Sequence, residues 1–176
     1  MTYLKMALSL CSILLITGCA QLAPVVTPDH QIDPTKTYVY GGFSMIGVGA
    51  AGVALEITGV DNKNVYLIKL RKDSQPTLIE VIPGTYKISK FVALSLGNKI
   101  EGSGFLSGSP YDQEFKIESG KVYYVGDHKG KYSFSGNLTL SWGVEFGGNN
   151  YEKTTRLLDI KYPMTVGVNK LSIFKN

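Results

Sequence analysis

From Thr37 onward, short segments of period-two alternation recur between turn residues, and this pattern most constrains what the chain can become. "VALEITGV" (53–60) and "VYLIKLR" (65–71) flank "DNKN" (61–64). In the first arm Val53, Leu55 and Ile57 alternate with Ala54, Glu56 and Thr58, so one face is apolar. The spacing predicts a hairpin with a four-residue turn. "DSQPT" (73–77) marks a second turn, and "LIEVIP", "TYKISKFVALSL", "EFKIES" and "KVYYVGDH" continue the series. "TYVYGGF" (37–43) precedes it, and "YSFSGNLTLSWGVEF" (132–146) follows, with Phe134, Leu138 and Leu140 expected inward and Gly136 at a bend or bulge. Short strands at this spacing predict an all-β domain, a single antiparallel β-sandwich over residues 37–176.

One segment departs from the pattern. "NNYEKTTRLLDIKYP" (149–163) has Asn150 in N-cap position, Glu152 in the first turn and Pro163 as a stop. These predict a short helix over residues 151–161, with a strand as the alternative. "MTVGVNKLSIF" (164–174) then supplies a last strand.

The first residues carry a different signal. "MTYLK" is a short positive region, and "MALSLCSILLIT" (6–17) is apolar. As a helix the latter rises only about 18 Å, too little for a bilayer core of roughly 30 Å. The pattern is that of a secretory signal. "Ile16-Thr17-Gly18-Cys19" resembles the lipobox of bacterial lipoproteins, Ile16 replacing the commoner Leu. The resemblance implies a signal peptide over 1–18, a diacylglyceryl group on the Cys19 sulfur, and Cys19 as the acylated N-terminus after cleavage. Two or more acyl chains make such an attachment effectively permanent. Ala20, where an Asp would retain an enterobacterial lipoprotein at the inner membrane, implies the outer membrane of a Gram-negative envelope. Either face of that membrane fits.

Residues 19–36 then read as the lipidated Cys and an extended tether. Pro24, Pro28 and Pro34 interrupt it and no apolar period runs through it. At about 3.1 Å per residue it would hold the domain up to roughly 50 Å from the lipid. Cys11 leaves with the signal and Cys19 is alkylated, so the domain holds no thiol for a disulfide, a metal or a nucleophile. Removing Lys5 leaves 17 basic residues (18 − 1) against 14 acidic ones, dispersed along the chain, which gives nucleic-acid binding no support.

"IPGTYKISKF" (82–91), followed by "EFKIESGKVYYVGD" (114–127), resembles the Pro-Gly-x-Tyr strand entry of transthyretin-like (prealbumin-type) sandwiches and of small bacterial lipoproteins of unknown function. That resemblance brings no catalytic residues. Independently of it, Gly84 and Gly120 sit where turns call for positive φ, and Tyr86, Tyr123 and Tyr124 offer large area for burial.

Other motifs carry less. "GVGAAG" (47–52) spells a dinucleotide fingerprint, but the residues after it alternate with period two, and the required helix is absent from the pattern. His30 lies in the tether, and His128, the one histidine of the domain, reads as a solvated strand-end residue. One histidine and scattered carboxylates imply no metal site, and no cofactor is expected. "GSGFLSGSPYD" (102–112) reads as a surface loop. The run from Gly41 to Gly52 is poor in charge, yet holds Phe43, Met45 and Ile46. Its glycines disfavour a rigid core strand. It is expected to be a loop or bulged edge strand, or an exposed apolar loop that meets a partner. The resulting expectation is a non-catalytic, outer-membrane-anchored protein-interaction module whose partner is another envelope or surface protein, with Phe43, Met45 and Ile46 on the interaction surface. The alternative is a carrier of a small ligand or glycan using Tyr111, Tyr123 and Trp142.

Overall fold

The computed structural model describes residues 21–46, 52–73, 75–94, 100–108, 110–111, 113–134 and 140–174. In chain order these form strands β1 (Gln21–Leu22), β2 (Thr37–Ile46), β3 (Gly52–Gly59), β4 (Val65–Lys69), β5 (Pro76–Val81) and β6 (Gly84–Leu94). Then come β7 (Ile100–Phe105), β8 (Glu114–Ile117), β9 (Val122–Tyr124), β10 (Asp127–Phe134) and β11 (Leu140–Gly148). Helix α1 (Tyr151–Lys161), a 3₁₀ turn (Pro163–Thr165) and β12 (Lys170–Ser172) complete the described chain.

The strands make two sheets. The first runs β1-β4-β3-β6, with β8 and β7 successive along the far edge of β6. In the second, β2 has β5 on one side, β9 and then β10 on the other, and β12 and β11 outside those. The predicted hairpin is present, with Thr58 opposite Val65 and Ala54 opposite Lys69. Val53, Leu55 and Ile57 enter the main core with Val39, Phe43, Ile79, Tyr86 and Val125, from both sheets. A second cluster lies on the other face of the second sheet, where Tyr38, Tyr40, Leu78, Val122 and Tyr124 pack against Leu158 and Tyr162 of the α1 region. The helix occupies the residues predicted for it. Asn150 makes no side-chain cap bond to α1. Its amide group instead donates to Asp127 Oδ2 at 3.0 Å, fastening the helix start to the sheet.

The sheets are mixed rather than antiparallel, which corrects the sequence reading. β9 and β10 run parallel to β2, β1 parallel to β4 and β12 parallel to β9. The cause is where the chain re-enters. After β8 it turns at Gly120, whose φ is +73° and whose N–H donates to Lys36 O. The chain therefore restarts beside the beginning of β2, and the flank opposite β5 is filled in β2's own direction. Gly84, with φ +159°, is nearly extended.

A single inserted residue then decides two side chains. Tyr40 lies opposite Tyr124, but Phe43 lies opposite His128. Three steps on β2 are thus matched by four on its neighbour, a bulge at Val125 and Gly126, with Gly126 at φ +97°. Without the bulge, strict alternation would aim Asp127 into the core and His128 outward. With it, Asp127 faces α1. Its Oδ1 accepts from Gly42 N–H, Tyr124 O–H and Thr154 O–H.

Three further readings change. "GSGFLSGSPYD" contributes most of β7, and Leu106 and Tyr111 are buried. "YSFSGNLTLSWGVEF" divides between β10 and β11, an antiparallel pair with Phe134 opposite Leu140; Gly136 and Leu138, and the side chains of Phe134 and Leu140, lie outside the described residues. The last strand shrinks to three residues because Pro163 opens a 3₁₀ turn first.

The segment expected to be an extended tether is packed on the domain over its described residues. Residues 21–36 lie along the domain as a strap. β1 pairs with β4, placing Gln21 opposite Tyr66 and Leu22 opposite Leu67. Ala23 N–H donates to Leu67 O in the first sheet, and Val26 N–H to Leu78 O in the second. Both side chains are buried. The strap therefore stitches the edge of one sheet to the edge of the other. The apolar residues of "LAPVV" serve this purpose without forming a period, because the strap crosses between sheets instead of running within one.

Candidate functional site

The strap roofs a cavity. β4 lies next to the strap strand β1, and its continuation crosses to the second sheet: Leu70 N–H donates to Val53 O, and the next residue, Arg71, donates to Phe43 O. Where the edges of β4 and β5 diverge, Leu22, Ala23 and Val25 close the gap over Met45, Leu70, Thr77 and Ile79. The space is about 460 Å³, within the range of small-molecule sites. Its described lining is mainly aliphatic, with Lys69, Arg71 and Lys72 the charged members. Arg71 makes a loose, solvent-exposed pair with Asp73 at 3.7 Å.

One polar group stands out there. Thr77 is 2% exposed, and its hydroxyl has no hydrogen-bond partner. Inward-facing Ile79 and Val81 belong to the main core, and alternation along β5 puts Thr77 on their side. A buried hydroxyl left unpaired costs about 1–3 kcal/mol. In an empty cavity, Thr77→Val is therefore expected to raise stability by about 1 kcal/mol, read as a higher urea midpoint. An unchanged or lower midpoint would mean that the hydroxyl is already satisfied.

The residues singled out in the sequence separate. Cys19 lies outside the described residues. Phe43 is fully buried in the main core, contrary to the expectation that it is exposed for a partner. Met45 is buried too and lines the cavity. Ile46 is 60% exposed. The physical reason is that 41–46 is strand, not loop. Gly41 and Gly42 are required by close approach: an added Cβ would collide with Gly126 O, or meet the Asp127 carboxylate at 2.7 Å. The glycines thus permit tight packing, and Phe43 fills the core beyond them. Of "GVGAAG", 47–51 lie outside the described residues, and Gly52 opens a strand, not a helix. The aromatics offered for a carrier do not converge on the cavity. Tyr111 and Tyr123 are core residues, and Trp142 packs half-buried against that core.

His128 is fully buried, against the expectation of a solvated residue. Its ring stacks on Phe43 with centroids 5.7 Å apart. Val125 O can only accept, so the 2.9 Å contact makes Nε2 the protonated nitrogen. Nδ1 then accepts from the Tyr111 hydroxyl at 3.3 Å. Burial depresses the imidazole pKa to about 4, outweighing the opposing effects of the Val125 carbonyl and the Asp127 charge, and desolvation pushes the Tyr111 phenol up. Between pH 6.5 and 4 the unfolded chain takes up a proton at His128 that the folded chain refuses. Stability is therefore full above pH 6.5 and falls as pH drops towards 4, by roughly 3 kcal/mol from this group. Urea melts across that window should show a steeper pH slope for the wild type than for His128→Gln. Equal slopes would refute the assignment.

The signal missed in the sequence was the apolar content of the strap, with Leu22, Ala23 and Val25 hidden among prolines. Thr77, one residue past Pro76 at the start of a strand, gave no sign of its role. Among the described residues no three His, Cys, Asp or Glu side chains gather as a metal site, and no helix is long and apolar enough to cross a membrane. Compared with known proteins, the chain matches no family model, no curated protein and no solved structure, so its geometry is the ground on which its function rests.

Proposed function

We propose that this chain is a lipid-anchored protein of the bacterial outer membrane that acts by binding, with Cys19 as its acylated N-terminus and the strap cavity as its ligand site. The ligand class is a single aliphatic chain with a polar head, such as a long-chain fatty acid. The observation that carries this reading is the aliphatic cavity with one buried, unpaired hydroxyl at Thr77. Apolar walls take up the chain, the Thr77 hydroxyl offers one directional hydrogen bond, and the cationic residues of the lining suit an anionic head. Titration of the delipidated protein with a fluorescent fatty acid tests it. Saturable binding that is competed by palmitate and weakened by Ala23→Phe, which fills the cavity, is expected. Binding unaffected by that substitution would place the ligand elsewhere.

A second reading, the protein-interaction module, rests on a different surface from the one first expected. Phe105 is 81% exposed on β7 and Ile100 on the same strand is half-exposed. β7 is an edge strand of the first sheet beyond β6, and an apolar edge is a template for strand addition by a partner. Crosslinking from intact envelopes through a photoreactive group at Phe105 tests it. A discrete adduct lost in the Phe105→Asp protein would favour this reading.

A further inference from the structure

The strap and the anchor together fix which end of the sandwich meets the membrane. Gln21 lies opposite Tyr66 in a parallel pair. Going back along the strap from Gln21 therefore leads towards the β3–β4 turn at 60–64. Cys19 is two residues further back, at most about 7 Å of chain. Other turns gather at this end. Val60 N–H donates to Thr85 O, and Ile82 N–H to the Tyr66 hydroxyl. Gly120 N–H and the Ser119 hydroxyl bond to Lys36 O and Thr35 O at the start of β2.

We infer that the end of the domain formed by the turns 60–64, 82–84 and 118–121 rests on the surface of the bilayer that holds the Cys19 lipid. This builds on the lipid-anchor reading and replaces a long, loose tether with direct contact. The surface suits the partner. Ile82 is 55% exposed at a turn tip beside the exposed Pro83, with exposed Lys63 on the neighbouring turn. An apolar tip flanked by a lysine fits the boundary between acyl chains and phosphate headgroups. The remaining charge there is largely balanced: Asp61, which accepts from Thr85 N–H, shares the turn with Lys63, Lys36 pairs with Glu80, and Lys116 and Lys121 pair with Glu118. No large acidic field opposes the approach. The opposite end, with Ile46 at the close of β2, stands about 30 Å away along a ten-residue strand.

The test uses full-length acylated protein in vesicles of phosphatidylethanolamine and phosphatidylglycerol carrying brominated acyl chains. Once the Cys19 sulfur is alkylated the mature chain has no other thiol, so Ile82→Cys, Lys63→Cys, Ile46→Cys and Lys72→Cys can each be labelled singly with a fluorophore. Loss of most emission at positions 82 and 63, with none at 46 and 72, is expected. Acylated protein with no quenching at any site, or with equal quenching at both ends, would overturn the orientation while leaving the anchor intact. Intact mass separates the two failures: an unacylated Cys19 would overturn the anchor reading and this one with it.

Discussion

A chain that begins at Thr37 is expected to be less stable than one that begins at Ala20 by about 3 kcal/mol, and to aggregate. Removing the strap forfeits burial of Val26, worth roughly 1.5–3 kcal/mol for a fully buried side chain, and the smaller contribution of Ala23. It also removes the hydrogen bonds from Ala23 N–H and Val26 N–H, each contributing about 1 kcal/mol net. Releasing the strap from its ordered path returns conformational entropy and offsets part of the loss. The edges of β4 and β5 would then stand open, with Met45, Leu70 and Ile79 newly wetted between them. Against a total stability of about 5–15 kcal/mol for a typical domain, the loss is large. Urea melts and light scattering of the two chains measure it. A Thr37 start with an unchanged midpoint and no scattering would show that the strap adds nothing to the fold.

Phe43→Ala should cost roughly 3–5 kcal/mol, as core phenylalanine truncations do, and more than any single change at the exposed end of the same strand. Phe43 is fully buried, stacks on the His128 ring, and lies in the cluster shared by both sheets. The cavity left by its ring would also open His128 to water, so the variant should lose much of the acid sensitivity assigned to that histidine. Ile46→Ser, three residues on and largely exposed, should stay within about 0.5 kcal/mol of the wild type. Equilibrium denaturation of the two variants separates the outcomes. A Phe43→Ala protein as stable as Ile46→Ser would contradict the buried placement of the ring.

What could be read without the fold was local. The hairpin around "DNKN" follows from period-two apolar residues and turn chemistry, both visible within a dozen positions. The helix at 151–161 follows from Glu152 at its start and Pro163 just beyond its end, although Asn150 uses its amide on Asp127 instead of the cap. The all-β class follows from repetition of such segments.

The candidate site was not legible, because its parts are distant in sequence and meet only across an edge. Leu22 and Ala23 come from the strap, Met45 from β2, Leu70 from just beyond β4 and Thr77 from β5. Alternation tells which residues share a face, but not which edge lies open or what covers it. The fate of Phe43 and His128 turned on one residue. Sequence alone determined that "TYVYGGF" and "KVYYVGDH" belong to the strand series; why glycine stands at 41, 42 and 126 is a matter of tertiary contact and register. Tertiary structure decided the bulge at Val125–Gly126, and with it that His128 points inward and Asp127 outward. The physical reason is that strand direction and register are set by long-range pairing, here by the chain re-entering beside Lys36. A shift of one position then exchanges the two faces of a strand.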